Sequence, residues 1–242
     1  MPPRSNHSAV IEVSDVFKIF HCQGARPAKD RVETVALRGV SLKIEAGEFL
    51  AIEGPSGSGK STLLNLMGGL DTPSAGAIRI NGSDIGTMPE RERALIRQKQ
   101  IGFVFQDNNL IPFLTALENV ALPLRLAGAL SPRQRALELL ERLHLGGRLQ
   151  HRPSQLSGGE AQRTGIACAL ANHPSVVLAD ELTGELDSTT GAQLMELMRT
   201  IHREEGTTLV IVTHNQAVAS FASRRIHLKD GLVQSEEGGD HA

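Results

Sequence analysis

The stretch Glu48-Phe-Leu-Ala-Ile-Glu53 followed by Gly54-Pro55-Ser56-Gly57-Ser58-Gly59-Lys60-Ser61-Thr62 constrains this chain more than any other feature. A short apolar run reads as a strand and feeds a loop of the form G-x-x-x-x-G-K-[ST]. The stretch from Ser61 to Leu70, checked by Gly68-Gly69, reads as the helix that leaves it. The glycines let successive backbone N–H groups converge on phosphate oxygens where a Cβ would clash. The helix start adds the positive end of its dipole. In such a cradle Lys60 is placed for the β- and γ-phosphates of a nucleotide, and the Ser61 hydroxyl for Mg2+.

A strand–loop–helix unit of this kind belongs in a parallel sheet, and the remainder of the chain alternates accordingly. Residues 9–20 read as a strand, 21–31 as a loop, and 32–46 as an antiparallel strand pair. Strands are predicted over 76–82, 101–105, 175–180 and 207–213, and helices over 89–99, 160–172 and 188–205. From about 107 to 155 the pattern is helical, broken by Pro112, Pro123 and Gly128. The Gly- and acid-rich tail after about 234 reads as disordered.

Composition removes several functions. A net charge of -2 argues against a nucleic-acid or anionic-lipid field, and 3% aromatic residues leave no stacking platform for single strands. Cys22 and Cys168 are far apart and lack metal-ligand spacing, so reduced thiols are expected. The first seven residues lack the apolar block of a signal peptide, and no run approaches the ~20 apolar residues of a membrane span. Work at a membrane would therefore need a partner.

Two more motifs carry chemistry. Val176-Val-Leu-Ala-Asp180-Glu181 ends a buried strand in two acids, at the place where open α/β sheets bind ligands. Asp180 suits Mg2+, held directly or through water. Glu181 suits polarisation of an attacking water, as a general base. Leu156-Ser157-Gly158-Gly159-Glu160 opens a helix and forms a second anion site about a hundred residues from the first. Ser157 with Glu160 three residues on is also a capping box.

With these motifs in place the chain resembles the ABC transporter ATPases from about residue 9 to 234. Leu156–Glu160 looks like their signature motif. The resemblance implies further roles. Gln106, after Phe103-Val-Phe105, is similar to the glutamine that contacts Mg2+ and water and senses a membrane partner. Gly184-Glu-Leu-Asp187 resembles the loop that places Asp187 at a subunit boundary. His214, after Val210-Ile-Val-Thr213, resembles the histidine that contacts the γ-phosphate. Phe20, in Lys18-Ile-Phe20, takes the place of the aromatic that stacks on adenine, with Phe17 as the alternative. Some positions depart from the family pattern: Leu182 stands where Pro is usual, Glu185 where Asn is common, Cys168 where Arg is frequent, and Asn215 where Asp is usual.

The implied fold is an α/β P-loop NTPase with a RecA-like parallel core, an N-terminal antiparallel β layer and an inserted helical subdomain. It is one domain over 1–242, with core and β layer near 8–105 and 165–234, the helical subdomain near 106–164, and a disordered tail near 235–242. Gly69-Leu-Asp-Thr-Pro73, Gln98 to Gln106 and Leu117-Glu-Asn-Val-Ala-Leu-Pro123 are similar to the lipoprotein-releasing LolD and macrolide-exporting MacB ATPases. The resemblance implies an ATP- and Mg2+-dependent homodimer that drives a separate permease, with a periplasmic adaptor reached through it, at the cytoplasmic face of a bacterial inner membrane. A cell-division type of transmembrane signalling subunit and a soluble non-transport ABC ATPase are the alternatives. Leu110, Ile111, Phe113, Leu114 and Leu117 read either as helical core or as a groove for a permease helix.

Overall fold

A computed structural model describes residues 9–21, 33–107, 109–184 and 186–238; Cys22, Glu185, most of the loop expected over 21–31 and the end of the expected tail lie outside the described residues. β1 (Ala9–His21), β2 (Glu33–Glu45), β4 (Ala75–Ile80) and β5 (Ser83–Asp84) form an antiparallel sheet in the order β2-β1-β4-β5. Residues 33–45 are thus one long strand against β1, not a strand pair within themselves. Period-two alternation marks a half-buried strand but does not say which strand it pairs with. Register shifts between Val13 and Val16, and again at Val16/Phe17, bend this long ribbon over the core.

The second sheet holds β3 (Phe49–Glu53), β6 (Ile101–Val104), β7 (Val176–Asp180), β8 (Thr208–Thr213), β9 (Arg224–Lys229) and β10 (Leu232–Gly238) in the order β10-β9-β3-β8-β7-β6. Among the described residues, the β9–β10 pairing is the one antiparallel pairing of this sheet. Its central strands are buried on both faces, which is why they read as continuous apolar runs. Alternate residues serve different cores. Leu50, Ile52, Val176, Leu178, Val210 and Val212 face the first sheet and α1 (Lys60–Met67). Phe49, Ala51, Val177, Ala179, Leu209 and Ile211 face the helices on the other side.

Those helices are α3 (Ala116–Leu126), α4 (Pro132–Arg142), α5 (Gly158–Leu170) and α6 (Ser188–Glu205). α2 (Glu90–Gln100) buries no residue, and a short α7 (Gln216–Ala219) follows β8. The helical pattern expected from 107 begins only at 116. Thr115 caps α3 through a reciprocal box with Glu118. The buried Asn119 ties the preceding turn down: its Oδ1 accepts from the Ile111 N–H at 2.7 Å, and its Nδ2 donates to the Ile111, Leu114 and Thr115 carbonyls. Pro112 and this side-chain network exclude an earlier helix start. The residues of the apolar segment differ in burial: Leu117 is 4% exposed and belongs to the helical core, whereas Phe113 is 71% exposed.

The expected disorder from 235 is corrected as far as Gly238. The acids of the tail stay at the surface but pair with arginines on β9. Arg224 Nε donates to Glu236 at 2.8 Å and Arg225 to Glu237 at 2.6 Å. Such cross-strand pairs hold an edge strand whose composition alone suggests none. Among the described residues no helix is long and apolar enough to cross a membrane.

Candidate active site

Because β3, β8, β7 and β6 are neighbours and parallel, the residues that follow them emerge at one edge. A cleft of about 670 Å³ opens there, lined by Ser56, Gly57, Gly59, Lys60, Ser61 and Thr62 after β3, His214 after β8, Asp180 and Glu181 with Gly184 at β7, and Gln106 after β6. The catalytic and metal-binding candidates named from sequence are thus brought together. The volume suits a nucleotide-sized ligand.

The loop is held from outside. Gly54 has φ 152° and a Cβ there would sit 2.0 Å from the Leu228 carbonyl of β9; at Gly59 (φ 102°) it would sit 2.6 Å from the Ala36 carbonyl of β2. Only glycine permits both approaches. Gly231 N–H donates to the Ser58 carbonyl at 3.0 Å and closes the third side. Lys60 is buried inside this curl, and its Nζ donates to the Gly54 and Pro55 carbonyls at 2.8 and 3.0 Å. The buried Ser58 Oγ finds no partner among the described residues.

Ser61 and Asp180 meet across the cleft. Burial pushes the Asp180 carboxyl above its ordinary range; a hydrogen bond from Ser61 opposes this, the charge of Glu181 adds to it, and Lys60 opposes it more weakly. A hydroxyl and a half-buried carboxylate side by side are an oxygen donor set for a hard divalent cation accompanying a triphosphate. The residues present therefore fit Mg2+. A carboxyl whose pKa is higher in the folded chain than in the unfolded one binds its proton more tightly when folded. Its ionisation near neutral pH costs stability, and that cost vanishes as pH falls below the unfolded value. Asp180→Asn is therefore expected to raise the melting temperature of the nucleotide-free protein at pH 7, by about 2 °C. Scanning calorimetry checks this, and a lowered melting temperature would contradict it.

Glu181 is a non-glycine residue at φ 49°, a conformation that costs free energy and is held by its surroundings. Its N–H donates to the Val212 carbonyl at 3.0 Å and its own carbonyl accepts from Gly184 at 3.1 Å. The strained backbone turns the carboxylate into the cleft, where Oε1 lies 2.8 Å from His214 Nδ1 and Oε2 accepts from the Thr213 hydroxyl at 3.4 Å. Leu182 is buried under the helices, so the residue found in place of the usual Pro fills core. Cys168 lies half-buried on α5, and desolvation pushes its thiol up to about 12, which disfavours the thiolate.

Other candidates lie outside the cleft. Phe20 stands opposite Thr34 in the β1–β2 register, is 41% exposed, and carries the Lys18 ammonium 5.0 Å from its ring centroid. It sits beyond the cleft wall, whereas Phe17 packs beside Gly39 on the β1–β2 ribbon. Ser157 caps α5, accepting from the Glu160 N–H at 3.3 Å while Glu160 accepts from the Ser157 N–H at 2.8 Å. None of Ser157, Gly158, Gly159 or Glu160 lines the cleft of its own chain. Asp187 is the N-cap of α6; hydrogen bonds from Thr190 and Thr189 hold its carboxyl below the usual carboxylate range. Sequence reasoning missed Thr34, Val35 and Ala36, which line the cleft from β2. Only a correct β1–β2 pairing could have found them.

A parallel sheet presenting a phosphate-type loop, paired acids and a histidine at one edge defines a P-loop nucleoside triphosphatase. The family profile for ABC transporters matches residues 37–184. An ABC transporter ATP-binding protein of Thermotoga maritima is 49% identical over 230 residues, covering 94% of this chain and 95% of that protein. A dimeric structure of the ATP-binding cassette MJ0796, from Methanocaldococcus jannaschii, with ADP and Pi superposes with a TM-score of 0.85 at 46% identity, covering 94% of this chain and 98% of that one. The macrolide export protein MacB of Syntrophobacter fumaroxidans is 42% identical over 95% of this chain, which spans only 32% of MacB. The chain belongs to the ABC transporter family, as an ABC-type ATPase.

Proposed function

We propose that the chain is the nucleotide-binding subunit of an ABC membrane system. Two copies stack head to tail, and each ATP lies between Gly54–Ser61 of one copy and Ser157–Gly159 of the other. The observation that carries this reading is the separation of the two anion-binding elements. No residue at the capped start of α5 lines its own cleft, which supports its meeting a phosphate on another chain. The dimeric form of the similar cassette MJ0796 supports it. Mg2+, held by Ser61, Asp180 and Gln106, offsets phosphate charge when bound. Lys60 leaves the loop carbonyls for the β- and γ-phosphates, Glu181 takes the proton of the attacking water, and His214 holds Glu181 while facing the γ-phosphate. Phe20 supports adenine, and Asp187 borders the second subunit.

Closure of the dimer moves a separate permease of the MacB or LolCE type, in export or in lipid or lipoprotein extraction, with a periplasmic adaptor beyond it. The exposed Phe113, seven residues after Gln106 in sequence, supports a permease contact. The chain then works peripherally, on the cytoplasmic face of the inner membrane. Light scattering tests the core of this reading: the Glu181→Gln variant doubles in mass with saturating MgATP and stays monomeric without it. A mass that stays monomeric with MgATP rejects the head-to-tail site.

A further inference from the structure

The capped start of α5 presents a chemical problem. Its amide groups and dipole attract anions, yet Glu160, three residues after the N-cap, puts a full negative charge in the same first turn. Both carboxylate oxygens are engaged. Oε2 accepts from the Ser157 N–H at 2.8 Å, and Oε1 accepts from Arg148 Nε at 2.7 Å. Arg148 comes from a separate element, the short 3-10 turn Gly146–Arg148, twelve residues before Glu160 in sequence. That turn is itself anchored to α3 through Leu117 N–H donating to the Leu149 carbonyl and Ala116 N–H to the His151 carbonyl. The arginine therefore arrives at the helix start in a fixed place.

We infer that Arg148 is a positioning residue for ATP bound in trans: by pairing with Glu160 it cancels a carboxylate charge that would otherwise repel the γ-phosphate of the partner's nucleotide. The inference rests on the head-to-tail reading above. The pair is at the surface, with Arg148 46% and Glu160 18% exposed. A surface pair contributes little to folding, so its main effect falls on the approaching phosphate. The neutralised acid retains its capping bond to Ser157, which a neutral amide at the same position also provides.

The test uses the Glu181→Gln protein, whose MgATP-driven dimerisation gives a midpoint without turnover. Adding Arg148→Ala is expected to raise the ATP midpoint about three- to tenfold, with the shift shrinking at high salt. Arg148→Lys stays close to the parent. Glu160→Gln alone lowers the midpoint, because Arg148 is then left as an uncompensated cation. Arg148→Ala with Glu160→Gln returns near the parent. A purely structural tie predicts otherwise: each single variant and the double weaken dimerisation alike. That pattern, or an unmoved midpoint in a folded Arg148→Ala, overturns the inference while the trapped dimer still supports the head-to-tail reading. No dimer even in the Glu181→Gln parent removes that reading and the inference with it.

Discussion

Glu181→Gln is expected to lower the rate of phosphate release by about 10²–10⁴-fold while nucleotide affinity stays near the parental value. The separation of these two quantities follows from the geometry. Glutamine keeps the size of the side chain, and its oxygen and amide nitrogen take the places of the two carboxylate oxygens, one beside the Thr213 hydroxyl and one beside His214 Nδ1. The backbone bonds to Val212 and Gly184 do not involve the side chain and hold the positive φ. What is lost is the basic carboxylate. The phosphate-contacting groups, Lys60 and the loop amides, are untouched. Single-turnover phosphate release measures the first quantity and titration calorimetry with MgATP the second. A variant that hydrolyses ATP at the parental rate removes Glu181 as the base. A variant that no longer binds MgATP assigns it to the nucleotide cradle instead.

How much of this site the sequence discloses depends on whether its information is local. The loop from Gly54 to Ser61 is legible because the glycines, the lysine and the flanking periodicities lie within one short stretch. Asp180 and Glu181 are legible because a fully buried strand must end abruptly in polar residues at a sheet edge. The convergence of Gln106, Asp180, Glu181 and His214 follows once the strands are taken as parallel neighbours. Non-local pairing is another matter. β2 alternates as any half-exposed strand does, so its role as a wall of the cleft through Thr34, Val35 and Ala36 is invisible without its register on β1. β9 and β10 are missed for a related reason. Only Ile226 and Leu228 of β9 are buried, and β10 is held by ion pairs to Arg224 and Arg225 rather than by an apolar pattern. The same strand supplies the Leu228 carbonyl that shapes the phosphate loop, so an element without a clear sequence signal fixes the best-marked motif in the chain.

Gly54→Ala is expected to unsettle the whole sheet edge, lowering stability by about 3 kcal/mol or more and abolishing nucleotide binding. A methyl group at this position would meet the Leu228 carbonyl at 2.0 Å and Ser58 Oγ at 2.9 Å. The serine can rotate, but the carbonyl belongs to the backbone of β9, which pairs with β3 from Leu50↔Arg224 to Glu53↔His227. Relief therefore requires either parting two central strands or shifting the loop. A shifted loop loses the carbonyl positions that hold Lys60. The φ of 152° adds a backbone penalty, since alanine rarely adopts it. Gly57→Ala separates the two causes. Gly57 also has positive φ, 79°, but among the described residues a Cβ there meets nothing within 4 Å, so the backbone cost of about 1–2 kcal/mol remains. Thermal melts of the nucleotide-free variants compare them, and Gly54→Ala should melt several degrees below Gly57→Ala, at about 2–4 °C per kcal/mol for a chain of this size. Equal losses would mean that backbone conformation alone sets the cost, and that the close approach of β9 to the loop does not constrain the nucleotide site.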